Sequence, residues 1–150
     1  MGIYPSKLGG YTSPGANNLA FVLGGGPPYA NVLLDSINTL SPSQDIASLN
    51  TISLSNGPFN SMFVAAIGDT NGSGLTDMAL FSEWVPSVYI LYGTASPVNV
   101  DLSTLNGTNG YQITNPNVNF DNITTLVNTN INADGFTDVV YHYNDNITGA

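Results

Sequence analysis

The sequence predicts an all-β fold of antiparallel strands, arranged as about two and a half repeats of roughly 60 residues. Three observations predict it. Runs of β-branched and aromatic residues are short, and each is bounded by Gly, Pro, Asn or Ser. No apolar pattern with a period of 3.6 residues is sustained anywhere. A nine-residue loop occurs twice, 61 residues apart, first as Asp69-Thr70-Asn71-Gly72-Ser73-Gly74-Leu75-Thr76-Asp77 and again as Asn130-Ile131-Asn132-Ala133-Asp134-Gly135-Phe136-Thr137-Asp138.

The elements follow in chain order. A first, degenerate unit spans 1–58. It opens with a loop at 10–18 that keeps Gly15 at position 6 but has lost the acidic residues. Strands are predicted at 19–23, 29–34 and 50–54, with the hairpin turn Gly24-Gly25-Gly26-Pro27-Pro28 between the first two and a brief helical turn at 45–49. A second unit, 59–119, has Phe59 ten residues before its loop, strands at 61–67, 77–82, 87–92 and 111–114, and a brief helical turn at 101–105. Pro27, Pro28 and Pro86 are placed between successive strands, where a missing N–H costs nothing. The third unit, 120–150, is partial. Phe120 again precedes the loop by ten residues, and strands are predicted at 123–127 and 137–143. Ser41-Pro42 matches Ser96-Pro97, and the segment 45–50 matches 101–106.

Composition narrows the function. The chain has 150 residues, a net charge of −9 and a single cation, Lys7. With no Arg, phosphate backbones find no partner, which excludes nucleic-acid binding, and an anionic membrane surface is repelled. Only 7% of residues are charged and twenty are Asn, a composition that suits strands and turns of a secreted or surface-exposed protein. Cys is absent, which removes disulfides, thiolate nucleophiles and Cys-ligated zinc. No apolar run reaches the roughly 18 residues a membrane-spanning helix needs, and Met1-Gly2-Ile3-Tyr4 does not begin a signal peptide. Asn71, Asn106, Asn122 and Asn146 head N-x-Ser/Thr sequons, candidate glycosylation sites on a eukaryotic secretory route.

The loops carry the chemistry. Each sets oxygen side chains at positions 1, 3, 5 and 9 and Gly at position 6. Alternate residues aim oxygens inward, the Gly permits a sharp turn, and the position-7 carbonyl can add a ligand, which is the spacing of a calcium loop. The run Ile67 to Leu80, followed by Val88-Tyr89-Ile90-Leu91-Tyr92-Gly93, closely resembles the FG-GAP repeat, also met as VCBS-type repeats, of integrin α-subunit heads and many bacterial surface proteins. The resemblance is strong over 59–93 and 120–143, and weaker over 1–56. It implies β-propeller blades of four antiparallel strands with calcium in the hairpin between the first two. The implied ligands are Asp69, Asn71, Ser73, Asp77 and the Leu75 carbonyl, and in the second loop Asn130, Asn132, Asp134, Asp138 and the Phe136 carbonyl. Departures from the family pattern are Asn130 at position 1, Ser73 at position 5 and Asn at position 3 of both loops. Each loop therefore has two carboxylates, and weak sites of about 10⁻⁴ to 10⁻³ M are expected, filled where calcium is near millimolar. Two and a half blades cannot close a ring of four to eight. Further strands are expected from a longer chain or from other copies of the chain, pairing with the open edge at Val139, Val140 and Tyr141.

Rival readings are weaker. An EF-hand needs a bidentate Glu at position 12, where this chain has Leu80 and Tyr141. The Gly24 run lacks the Lys and helix of a phosphate loop. His142, the only His, reads as a strand residue, and Glu83 has no placed carboxylate partner for glycoside hydrolysis. Trp84, Tyr89 and Tyr92 read as packing residues ahead of a sugar-stacking face. The sequence thus predicts a non-enzymatic, calcium-stabilised, extracellular or cell-surface module of an adhesion or structural protein, with a protein or glycan as candidate ligand. Its alternatives are a self-assembling filament subunit and an accessory region of a secreted carbohydrate-active enzyme or esterase. The flanks of the segment would discriminate among them.

Overall fold

The computed structural model describes residues 6–11, 14, 18–20, 22–24, 30–33, 35–36, 51–57, 62–82, 85–96, 98–114 and 123–143. They form thirteen strands and one 3-10 turn. The strands are β1 (Ser6–Gly9), β2 (Asn18–Ala20), β3 (Val22–Gly24), β4 (Ala30–Leu33), β5 (Asp35–Ser36), β6 (Thr51–Ser55), β7 (Met62–Gly68), β8 (Asp77–Ser82), β9 (Val85–Leu91), β10 (Val100–Asp101), β11 (Gly110–Thr114), β12 (Ile123–Thr129) and β13 (Asp138–Tyr143). The all-β prediction holds: Leu102–Thr104, inside the turn predicted at 101–105, is the one helical segment among the described residues. The helical turn predicted at 45–49 lies outside them.

Four sheets result, ordered β1-β2-β5, β10-β6-β4-β3, β11-β9-β8-β7 and β12-β13. Every pairing is antiparallel except the short parallel contact of β10 with β6. The centre is the sheet β7-β8-β9-β11, buried on both faces. On one face Val64, Met78, Leu80, Tyr89 and Leu91 pack with Ile52 and Leu54 of β6, with Leu102 and with Tyr11. On the other, Ile67, Ala79, Val88 and Ile90 pack with Phe81, Tyr92, Tyr111, Ile113 and Val139 of β13. Burial on both faces explains the unbroken apolar runs 78–81 and 88–91, because a strand with no wet face needs no polar alternation. Each fully buried aliphatic side chain here contributes about 1.5–3 kcal/mol.

Three features differ from the sequence reading. The strand predicted at 19–23 is divided, with β2 pairing β1 and β5 while β3 pairs β4 in another sheet. Pro86 lies inside β9 rather than between strands. It sits where the register jumps from Phe81↔Val88 to Ser82↔Val85, so Pro86 has no partner on β8 and its absent N–H is not needed. The segment after β9 leaves its own sheet, and β10 pairs with β6 as Val100↔Leu54 and Asp101↔Ser55. Asn99 Oδ1 accepts from Ser53 N at 3.0 Å and Asp101 Oδ2 from Asn56 Nδ2 at 2.8 Å, which hold this excursion in place. Asp101 also caps the 3-10 turn, accepting from Ser103 N at 2.9 Å and Ser103 Oγ at 2.6 Å. Trp84 and Glu83 lie outside the described residues. Tyr89 and Tyr92 pack on opposite faces of the central sheet, so they share no platform.

Candidate metal loops

Both loops connect antiparallel neighbours, the first joining β7 to β8 and the second β12 to β13. A bulge prepares the first: Ala66 faces Met78 and Gly68 faces Asp77, leaving Ile67 as the extra residue and turning the chain into the loop. The backbones then match. Positions 4 and 6 are left-handed in both, at φ +77° and +78° for Gly72 and Gly74 and at +60° and +94° for Ala133 and Gly135.

In the first loop the Asp69 carboxylate accepts three backbone N–H bonds, from Gly72 (2.8 Å), Ser73 (3.0 Å) and Gly74 (2.7 Å). Asn71 Oδ1 accepts from Ser73 N at 3.0 Å, and Ser73 Oγ from Leu75 N at 3.2 Å. Asp77 is fully buried. Its Oδ1 accepts from Gly93 N at 2.8 Å, and its Oδ2 accepts from Thr70 N at 2.8 Å and from the Thr70 hydroxyl. Burial pushes the Asp77 carboxyl above its usual range, and the bonds from Thr70 and Gly93 pull against that shift. Burial, and after it the Asp77 charge, raises the Tyr11 hydroxyl; burial, then Tyr92 and Asp77, raises that of Tyr111.

The second loop repeats three of these bonds position for position. Asp138 Oδ2 accepts from Ile131 N at 2.7 Å, as Asp77 does from Thr70. Asn132 Oδ1 accepts from Asp134 N at 3.2 Å, as Asn71 does from Ser73. Asp134 Oδ1 accepts from Phe136 N at 2.8 Å, as Ser73 Oγ does from Leu75. The Asn132 amide additionally donates to Asp134 Oδ2 at 2.9 Å. Asp138 is only half-buried, and the loop from 130 to 136 is exposed.

The donor set fits a hard cation in kind. Every predicted side-chain donor of both loops is an oxygen, which suits calcium and disfavours soft metals. An ionised carboxylate offers about four lone-pair sites. Asp69 and Asp77 each use three on the loop's own N–H and O–H groups, which leaves one each. Asn71 and Ser73 keep one apiece. Calcium takes six to eight oxygens, so carbonyls and water would complete the shell. Among the described residues no group of three or more acidic or His side chains gathers, in keeping with two carboxylates per loop.

Sequence reading missed Thr70 and Gly93, the donors that pin Asp77. Thr at position 2 was visible as a second hydroxyl in the loop; the Gly93 contact comes from backbone and left no residue signal. It also missed how the loops join. Thr137 N donates to the Asp69 carbonyl at 2.9 Å, and Thr76 N donates to the Gly10 carbonyl at 3.1 Å. The Phe136 ring lies against Gly72, where any Cβ would collide with it. No protein-family model, curated protein or solved structure matches the chain.

Proposed function

We propose that this chain is a non-enzymatic, calcium-stabilised repeat module of β-propeller type, serving an extracellular adhesion or structural protein. The observation that carries the reading is the paired loop: two hairpins 61 residues apart share left-handed positions 4 and 6, three hydrogen bonds and an oxygen-only donor set. The four-stranded antiparallel order β7-β8-β9-β11, with the first loop between its first two strands, is the arrangement a blade requires.

Bound calcium would supply positive charge to loops whose clustered carboxylates otherwise repel. Asp69, Asn71, Ser73, Asp77 and the Leu75 carbonyl would hold it in the first loop, and Asn130, Asn132, Asp134, Asp138 and the Phe136 carbonyl in the second. Asp69 is already oriented by three N–H groups and Asp77 by Thr70 and Gly93, so the first loop loses little freedom on binding. Its affinity should exceed that of the exposed second loop.

A calcium titration followed by amide NMR tests this. The amides of Gly72, Ser73 and Gly74 should shift saturably with a Kd of about 10⁻⁴ to 10⁻³ M, and magnesium should leave them in place. Amides that ignore calcium up to several millimolar would refute the metal reading.

A further inference from the structure

A cavity of about 420 Å³ opens beside the first loop, on the face of the central sheet that packs against β6. Buried Tyr11, Ile52 and Leu91 line its inner side. Its walls come from the chain between β9 and β10, the turn before β11 and Asn71 of the loop. The volume falls within the roughly 300–1,000 Å³ of small-molecule sites.

Tyr11 is only 2% exposed, yet its hydroxyl bonds to no protein group. Among the described residues no side-chain nitrogen or oxygen is both sealed from solvent and unpartnered. The Tyr11 hydroxyl therefore reaches the cavity, and its partner must come from there. Burial raises its pKa, so it stays protonated and can both donate and accept. The walls add groups of the same kind. Asn99 commits Oδ1 to Ser53 N and Asn71 commits Oδ1 to Ser73 N, which orients each amide and leaves its N–H₂ group to donate. The Asn109 side chain is committed to no partner. The Thr94 hydroxyl accepts from Ser96 N at 3.2 Å and keeps its own proton to give. Leu91 and Val100 supply apolar surface between these groups.

We propose that this cavity binds a short neutral oligosaccharide, with the Tyr11 hydroxyl and the Asn99 and Asn109 amides bonding its hydroxyls. Sugar hydroxyls donate and accept in turn, as these groups do, and sugar C–H faces shed water against aliphatic side chains. Phosphates, sulfates and acidic sugars are disfavoured, since no cation is among the described lining residues and the chain carries −9. A cationic ligand would need a free carboxylate. Asp101 is the one charged residue among the described lining, and it already accepts from Asn56 and twice from Ser103. A peptide is read through a strand edge, and β10, the strand in the wall, offers two residues. The proposal deepens the adhesion reading by naming a ligand class. Asn71 also belongs to the first loop, so the test is run both in chelator and in calcium.

Amide and Asn side-chain NMR of the whole chain tests it. The neutral probes are maltose, cellobiose, lactose and diacetylchitobiose. A galacturonic acid disaccharide and a capped alanine peptide serve as acidic and peptide probes. At least one neutral disaccharide should shift Thr94, Asn99 and Asn109 saturably at millimolar concentration, in chelator as in calcium. Tyr11→Phe keeps the ring in the core and removes the unpartnered hydroxyl. It should weaken that binding roughly two- to tenfold with melting unchanged. Asn109→Ala, at an exposed position, should weaken it as well; if Tyr11→Phe fails to fold, this variant decides alone. Neutral disaccharides that leave those signals in place, tighter binding of the acidic or peptide probe, or binding that ignores both substitutions overturns the proposal. Sugar binding in a chain whose melting ignores calcium would sink the metal reading alone.

Discussion

At loop position 4 the same left-handed backbone is carried by Gly72 in one copy and by Ala133 in the other. An L-residue in that region costs roughly 1–2 kcal/mol, while Gly loses about 0.5–1 kcal/mol more backbone entropy on folding. Ala133→Gly should therefore stabilise the chain by about 0.5–1 kcal/mol. Gly72→Ala should destabilise it by more, because its Cβ also meets the Phe136 ring. Denaturant melts of both variants check the opposite signs. Asp101 gives a residue-scale dependence on pH. Bonds from the Ser103 hydroxyl, the Ser103 N–H and the Asn56 amide hold its carboxyl below the usual range. A lowered folded-state value means that its stabilisation is complete above the unfolded value of 3.8 and is lost as pH falls through the folded one. Asp101→Asn should thus lower the melting temperature near neutrality and narrow its gap to the wild type as pH drops below 3.8.

At the scale of elements, the central sheet is where stability concentrates. Leu80 on β8 is fully buried between the sheet and β6, so Leu80→Ala should cost about 2–5 kcal/mol. An equal truncation at exposed Val98 should cost well under 1 kcal/mol; paired urea melts compare them. Which elements were legible in the sequence follows from what fixes each one. The strands at 62–68, 77–82, 110–114 and 123–129 fell within two residues of their predicted bounds, since local apolar runs and Gly or Asn stops specify them. The assignment of β2 and β3 to different sheets and the pairing of β10 with β6 were not legible. Two or three residues carry no period, and partners 46 residues apart leave no local pattern. Pro86 was misplaced because a bulge is decided by the partner strand. In the loops the spacing exposed every candidate ligand, but Gly93 and the Thr137–Asp69 bond act through backbone, to which residue identity is blind.

Over the whole molecule, sheet stacking and charge oppose one another. The central sheet is covered on one face by β6 and on the other by Val139 of β13, so neighbouring units bury each other's apolar surface. Against this stands a net charge of −9 with Lys7 as the only cation, which leaves the carboxylates of the loops without cationic side chains to offset them. Among the described residues no helix is long and apolar enough to cross a membrane. A cation held by Asp69, Asn71, Ser73 and Asp77 would reduce that repulsion where it is densest and lock the hairpin that carries β7 into β8. At a calcium concentration about ten times the dissociation constant, one filled loop adds about 1.4 kcal/mol.

The most direct test of calcium stabilisation is the thermal midpoint of the whole chain in excess chelator against several millimolar calcium, measured beside Asp77→Ala and beside Asn71→Ala, whose side chain is exposed and outside the core. Calcium should raise the wild-type midpoint by several degrees, lose that effect in Asp77→Ala and keep only part of it in Asn71→Ala. A wild-type midpoint that is the same in chelator and in calcium would contradict the account and leave the loops as hairpins closed by their own hydrogen bonds.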